Sequence, residues 1–267
     1  MPTSVRSGAP TGPLLLRPAP QGGRTGPPDR RARSDAGSPP APRPDPTGFA
    51  ALLPPSAVSA ETFRDLLYGE AVFPEEEAVV RGAVEARRRE FRTVRQCARR
   101  ALGGLGVPPV PVLPGPRREP QWPPGVVGSM THCAGYRAAA VAYGGDVLSL
   151  GIDAEPHEAL PEGMLPAVAG PEEAERLDLL YARLPQVHWD RVTFSAKESV
   201  YKAWFPLARR WLGFHDASLI LDPDRESFEV VLHRTHEHSD GRLLDSMSGR
   251  WSVADDLIRT AVVVPPL

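Results

Sequence analysis

Proline sets the layout of this chain before any other residue type does. Its ring fixes φ, removes an amide donor and is excluded from helix and sheet interiors, so its clusters mark where ordered elements cannot run. Of 32 prolines in 267 residues, 12 fall in the first 50, beside 7 glycines and 7 arginines against 3 aspartates. That segment has no lysine or glutamate, and its one aliphatic run, Leu14-Leu15-Leu16, is too short for a signal-peptide core or a membrane span. Residues 1–50 therefore read as a disordered tail with a charge of about +4. A second proline-rich stretch, Val107 to Pro124, reads as a connector. The ordered remainder divides into halves that each combine a main helix with strands. This pattern predicts an α+β fold of two packed lobes, 51–155 and 156–267.

Order is expected from Phe49 onward. Ser59 reads as the cap of a short helix reaching about Tyr68. A longer helix is predicted from Pro74 to about Leu102, with Glu75, Glu76 and Glu77 at the end that favours negative charge and Gly103-Gly104 as its stop. Gly125 to Cys133 reads as a strand leading into a turn that carries His132, and Tyr136 to Tyr143 as a short helix or a strand. Val147 to Asp153 is the next strand, and a helix follows around Glu172 to Leu184. The best helix of the second half spans Phe194 to Trp204, with Ser195 as its cap, Glu198 as capping-box partner, and Val200, Ala203 and Trp204 toward the core. Four more strands, around residues 217–221, 227–233, 249–253 and 257–264, predict an antiparallel sheet. Neither a dinucleotide fingerprint nor a P-loop is present.

The net charge of −2 excludes a globally basic nucleic-acid binder. Cys97 and Cys133, the only cysteines, exclude a disulfide framework and a cysteine-rich zinc module, and their number suits a reducing compartment. With no secretory or membrane segment in the sequence, the cytoplasm is the expected location. Among 31 basic residues only two are lysines, Lys197 and Lys202, and both lie in one six-residue stretch. In an arginine-biased chain, that points to a place for a compact, mobile ammonium.

Asp153 and Glu155 are spaced i, i+2 at a strand end, where an extended chain sends both carboxylates to one face. Paired oxygens suit Mg²⁺, although solvated loop acids show the same spacing. Glu198 and Lys202 are i, i+4 neighbours on a helix, with Lys197 and Tyr201 as a second pair; a stabilising Glu–Lys contact on an amphipathic helix has the same spacing. Arg87 and Arg95 stand about two turns apart and can line one helix edge, a row suited to phosphates or to a solvated face. His132 is a candidate phosphate donor or a structural histidine. His233, His236 and His238 read as a polar loop near Asp240. Cys133 directly follows His132, which is not the geometry of a nucleophile–base pair, so a thiol hydrolase is rejected.

Four segments carry a resemblance. Gly128 to Tyr136 (GSMTHCAGY), Gly151 to His157 (GIDAEPH), Trp189 to Trp204 (WDRVTFSAKESVYKAW) and the arginine pattern from Arg87 to Arg95 resemble the 4'-phosphopantetheinyl transferases. Within that family they are most similar to the enterobactin-synthase-component-D branch and its actinobacterial members, which activate fatty-acid, polyketide and peptide synthases. The resemblance covers residues 57–267. It implies a two-lobed, pseudo-twofold monomer with coenzyme A in the cleft. It implies Mg²⁺, or Mn²⁺, on Asp153, Glu155 and Glu198. Arg87, Arg95 and His132 would hold the nucleotide end, and Lys197 and Lys202 the phosphates. Glu198 would act as general base and Lys202 would neutralise or protonate the leaving group. The acceptors implied are apo acyl, polyketide and peptidyl carrier proteins.

The chain departs from the family pattern at Pro114-Gly115-Pro116, where relatives carry a basic residue; Arg117 or Arg118 is expected to take over. Trp204, Phe205 and Leu207 are candidates for carrier docking, with core packing the expected role of Trp204. The competing readings are a metal-dependent hydrolase of coenzyme A and a non-catalytic scaffold with a basic tail.

Overall fold

The computed structural model describes residues 47–65, 73–237 and 243–266. The expected tail lies outside them up to residue 46, as do Tyr68, His238 and Asp240. Phe49, in the short turn Gly48–Ala51, is fully buried, so core packing starts where order was expected.

The first lobe is a three-stranded sheet in the order β1-β3-β2, built from β1 (Ala57–Thr62), β2 (Val126–Cys133) and β3 (Tyr136–Tyr143), with all pairings antiparallel. Two helices, α1 (Pro74–Val80) and α2 (Glu85–Gly104), accompany it. The second lobe contains β4 (Ser149–Pro156), α3 (Leu165–Val168), α4 (Pro171–Arg183), α5 (Trp189–Ala208), β5 (Ala217–Asp222), β6 (Ser227–Glu237), β7 (Leu243–Ala254) and β8 (Leu257–Val264). Its five-stranded antiparallel sheet runs β4-β8-β7-β6-β5.

Alanine explains why β3 is a strand buried on both faces. Successive strand side chains alternate between faces. Ala139 and Val141 pack with Ala98, Ala101 and Leu102 of α2, whereas Ala138, Ala140 and Ala142 pack with Leu150, Ile152 and Ala261 of the second lobe. Small side chains let both layers approach. In the second lobe, α5 lays Val192, Ala196, Val200, Ala203 and Trp204 on the five-stranded sheet. It comes so close to β4 that a Cβ on Gly151 would stand 2.0 Å from the Ser199 carbonyl oxygen and 2.6 Å from the Ala203 nitrogen.

The lobes meet along β2 and β4, each an edge strand of its own sheet. Side-chain hydroxyls replace a backbone ladder there: the Ile152 amide donates to Ser129 Oγ at 3.1 Å and the Ala154 amide to Thr131 Oγ1 at 3.2 Å. Buried amides need such partners.

Several expectations are corrected. The segment from Ser59 is strand β1, because it pairs with β3 over Ala57–Thr62. The long first helix is two helices, separated at Arg81–Val84, where Gly82 weakens the helix and Val84 is extended. His132 lies inside β2, and the turn follows it at Ala134–Gly135, with Gly135 at φ 71°. Helix α5 begins at Trp189, so Ser195 is an interior residue and no capping box forms with Glu198. A lobe boundary after Glu155 would sever β4; the sheets change over between β3 and β4. His233 and His236 belong to β6, and His233 bonds Ser218 Oγ at 2.9 Å.

Gly151→Ala is expected to destabilise the protein by about 3 kcal/mol, because both clashing atoms are backbone and cannot rotate away. Chemical denaturation of the two proteins measures it; equal midpoints would contradict this packing.

Candidate active site in the cleft between the lobes

A cleft of about 970 Å³ opens beside the seam, lined from one lobe by α2, β2 and the connector and from the other by α5. Arg87, Arg95, His132, Glu198 and Lys202 all reach its wall. The seam that joins the lobes thereby gathers five of the expected site residues.

Asp153 does not line the cleft but holds Lys202, which does. Asp153 is buried, and its carboxylate accepts from Thr131 Oγ1 at 3.0 Å, Ser195 Oγ at 2.9 Å and Lys202 Nζ at 2.7 Å. Each donor comes from a different element or turn: Thr131 from β2, Ser195 and Lys202 from successive stretches of α5. Lys202 also donates to the Ile152 carbonyl at 3.1 Å. The helix-surface Glu198–Lys202 contact is therefore replaced by a pairing of Lys202 with β4.

Glu155 follows Asp153 on the same strand and is held by Arg191 at 3.0 Å. Burial and the neighbouring Asp153 charge push its carboxyl up to about 6, against the pull of Arg191. Burial likewise pushes Glu198 up; Lys202 opposes and Asp153 reinforces the shift. Glu198 accepts no hydrogen bond among the described residues, while the other acid on the cleft wall, Glu119, is engaged by the Arg117 amide at 2.9 Å and by Arg209 at 3.5 Å.

His132 bridges α2. Its Nδ1 lies 2.9 Å from Glu90 and its Nε2 3.1 Å from Arg87, which itself pairs with Glu90 at 2.6 Å. Burial lowers the His132 pKa, with Glu90 opposing. Arg95 is turned inward: its Nε donates to the Val112 carbonyl at 2.9 Å, its guanidinium lies 3.2 Å from the Phe91 ring centroid, and burial lowers it to about 10. Cys133 is no nucleophile, since burial and the nearby Glu155 and Asp153 charges push its thiol up to about 12.

Two family models match this architecture. That of the 4'-phosphopantetheinyl transferase N-terminal domain covers residues 75–142, and that of the 4'-phosphopantetheinyl transferase superfamily covers 149–254. The chain is 53% identical over 218 residues to the 4'-phosphopantetheinyl transferase Svp of Streptomyces mobaraensis, spanning 81% of this chain and 89% of that one. The chain belongs to the 4'-phosphopantetheinyl transferase family. It is 47% identical over 221 residues to the 4'-phosphopantetheinyl transferase PptT of Mycobacterium tuberculosis, spanning 78% and 96% of the two chains. A weaker likeness, 34% over 129 residues and about half of each chain (47% and 51%), runs to the enterobactin synthase component D of Salmonella typhimurium. As a member of that family the chain is a transferase, and its α+β fold is the family's.

Among the expected residues, Asp153, Glu155 and Lys197 do not line the cleft; Asp153 touches it only through Lys202, and farthest from that role is Lys197. Its ammonium is buried in the second lobe, donating to Glu173 at 2.6 Å and to the carbonyls of Val168 at 2.7 Å and Phe214 at 2.8 Å. Desolvation lowers its pKa while Glu173 opposes the shift. Glu173 in turn accepts from the Leu219 amide at 2.8 Å, so the pair ties α3, α4 and α5 to the edge strand β5. Helical spacing explains the divergence: Lys197 lies beside Glu198 in sequence but about 100° around the helix. The docking candidates Trp204, Phe205 and Leu207 are buried, whereas Trp211, 4.9 Å from Tyr201 by ring centroids, is exposed, as are Phe63 and Tyr143.

The sequence reading missed Thr131, Ser195, Arg191 and Glu90. Glu90 is three residues after Arg87 and readable as its helical partner. The others act across elements and leave no local signal.

Lys197→Met should lower stability by about 3 kcal/mol, since it strands the buried Glu173 carboxylate. It should leave the affinity for coenzyme A unchanged. Denaturation and calorimetric titration read the two effects separately; a stable protein with weakened coenzyme binding would restore Lys197 to the phosphates.

Proposed function

We propose that the inter-lobe cleft binds coenzyme A and is where its 4'-phosphopantetheine group passes to a serine of an apo carrier protein, releasing 3',5'-ADP. Coenzyme A is the donor, and acyl, polyketide and peptidyl carriers are the acceptors, placing the enzyme in fatty-acid, polyketide and nonribosomal peptide biosynthesis. The observation that carries the site assignment is Glu198: a cleft-wall carboxylate with no hydrogen-bond partner among the described residues, beside the Lys202 ammonium. A hydroxyl nucleophile and a phosphate leaving group need such a base and such a cation side by side.

Arg87 and His132 on one wall and Lys202 on the other are assigned to the coenzyme's phosphates. Glu198 takes the serine proton as the serine oxygen bonds to the phosphorus that carries pantetheine. The bond from that phosphorus to the bridging oxygen breaks, and Lys202 balances the charge left on 3',5'-ADP. Asp153 and Thr131 set where Lys202 lies before the coenzyme arrives.

Asp153, Glu155 and Glu198 fit a divalent ion by donor chemistry. All three offer hard oxygen ligands, and the upward shifts of Glu155 and Glu198, caused first by burial and then by the Asp153 charge, are ones a bound cation would oppose. As they stand, no three acidic, histidine or cysteine side chains among the described residues are close enough together to enclose an ion. Lys202 lies on Asp153 and Arg191 on Glu155. Mg²⁺, or Mn²⁺, held by the three carboxylates would supply charge neutralisation to the pyrophosphate. Among the described residues no helix is long and apolar enough to cross a membrane. A monomer acting in the cytoplasm is the form we assign.

Apo carrier proteins incubated with the enzyme, coenzyme A and Mg²⁺ should each gain the mass of one phosphopantetheine. Glu198→Gln should cut the rate at least about 100-fold, and chelation of the metal should abolish the gain. Intact-protein mass spectrometry reads all three. Free 3',5'-ADP without carrier modification would instead establish a hydrolase.

A further inference from the structure

Away from the cleft, a second cavity of about 270 Å³ opens between α4, α5 and the edge strand β5, and the two share no lining residue. Its inner wall is apolar: Leu177 and Leu219 are almost fully buried, and Leu221 continues the wall along β5. Its rim is apolar as well, with Leu179 72% and Ile220 48% exposed to solvent. The volume lies just below the roughly 300–1,000 Å³ typical of small-molecule sites, a size for one short aliphatic chain.

One charge in this wall has too few partners. Arg176 lines the cavity, yet among the described residues its guanidinium makes a single long hydrogen bond, to the Leu219 carbonyl at 3.5 Å, and its buried Nε has no acceptor. Buried donors are normally paired, and one left open is costly until something completes it. The neighbouring acids are already spent. Glu173, three residues earlier, gives one oxygen to Lys197 at 2.6 Å and the other to the Leu219 amide at 2.8 Å. Arg183, the other arginine at the cavity, pairs with Asp224. Glu172, Glu175 and Asp178 of the same helix do not line the cavity. The Glu173–Lys197 and Arg183–Asp224 pairs are each neutral, so Arg176 leaves the cavity with one uncompensated positive charge. The strand supplies a second donor. Leu219 turns its amide away from β6 toward Glu173, and backbone alternation puts the Leu221 amide on the same open edge of the sheet.

We propose that this cavity is a binding site for an aliphatic monocarboxylate. The carboxylate accepts from the Arg176 guanidinium and the Leu221 amide, and its chain lies on Leu177, Leu219 and Leu221 beneath the rim of Leu179 and Ile220. A single anionic head meets the single uncompensated cation in a charge-assisted hydrogen bond. An inorganic anion would satisfy Arg176 but leave the leucine wall in water, and a neutral chain would cover the wall but leave Arg176 open.

Calorimetric titration of the full chain with butyrate, hexanoate and octanoate, and with octan-1-ol as the neutral control, tests the proposal. Affinity should rise about fourfold per buried methylene along the acid series, and octanol should bind about tenfold more weakly than octanoate. Arg176→Met should weaken octanoate binding about tenfold and leave the affinity for coenzyme A unchanged. Ile220→Glu changes an exposed position and should weaken octanoate comparably by setting a like charge at the rim. Should Arg176→Met not fold, the Ile220→Glu comparison decides. Absence of octanoate binding overturns the proposal, as does equal affinity in the parent and the variants or an affinity independent of chain length. Octanol binding as tightly as octanoate would make the cavity merely apolar and overturn it too.

Discussion

The close approach of α5 to β4 at Gly151 is the contact on which the rest of the molecule depends. With no Cβ between them, the Ser199 and Ala203 backbone lies directly on the strand. The turn of helix that carries Glu198 and Lys202 is thereby held over Asp153. β4 is also the edge that meets the first lobe, and its outward amides are satisfied by Ser129 and Thr131 rather than by another strand. Thr131 then uses its hydroxyl hydrogen on Asp153. One short stretch of strand thus joins two lobes, positions one helix and seats the central carboxylate.

Charge is sorted by depth. Lys197 with Glu173, and Arg99 with Glu76, are buried pairs whose partners are fixed by backbone amides as well as by each other. They specify how loops and edges pack. Toward the cleft, cations outnumber acids, and Glu198 keeps an unpartnered carboxylate among them. A cleft with that imbalance attracts anions, and burial raises the carboxyls of Glu155 and Glu198. Lys202 stands at the boundary, paired with Asp153 yet on the wall that a phosphate would reach.

The sequence displayed the two-lobed α+β organisation because proline and glycine mark its breaks and because β5 to β8 are written as short apolar runs between turns. It offered Asp153, Glu155, Glu198 and Lys202 as candidates by spacing and by resemblance, and of these Glu198 and Lys202 line the cleft. What it hid is non-local. Ser195 looks like a helix cap, and only the Asp153 carboxylate reaching it from β4 shows why a serine stands inside a helix. Lys197 and Lys202 look alike as the only two lysines, but five residues of helix send them to different surroundings. Ser59 begins a plausible helix until pairing with β3 draws it into a strand. The buried role of Arg95 depends on a connector residue, Val112, that has no functional signature of its own.

A crystal structure with coenzyme A and Mg²⁺ tests the central claim most directly. The account predicts phosphates of the coenzyme against Arg87, His132 and Lys202, one ion shared by Asp153, Glu155 and Glu198, and Lys197 still buried on Glu173. Coenzyme bound outside the inter-lobe cleft, or bound within it with no ion while Lys202 and Arg191 keep their present partners, would contradict it.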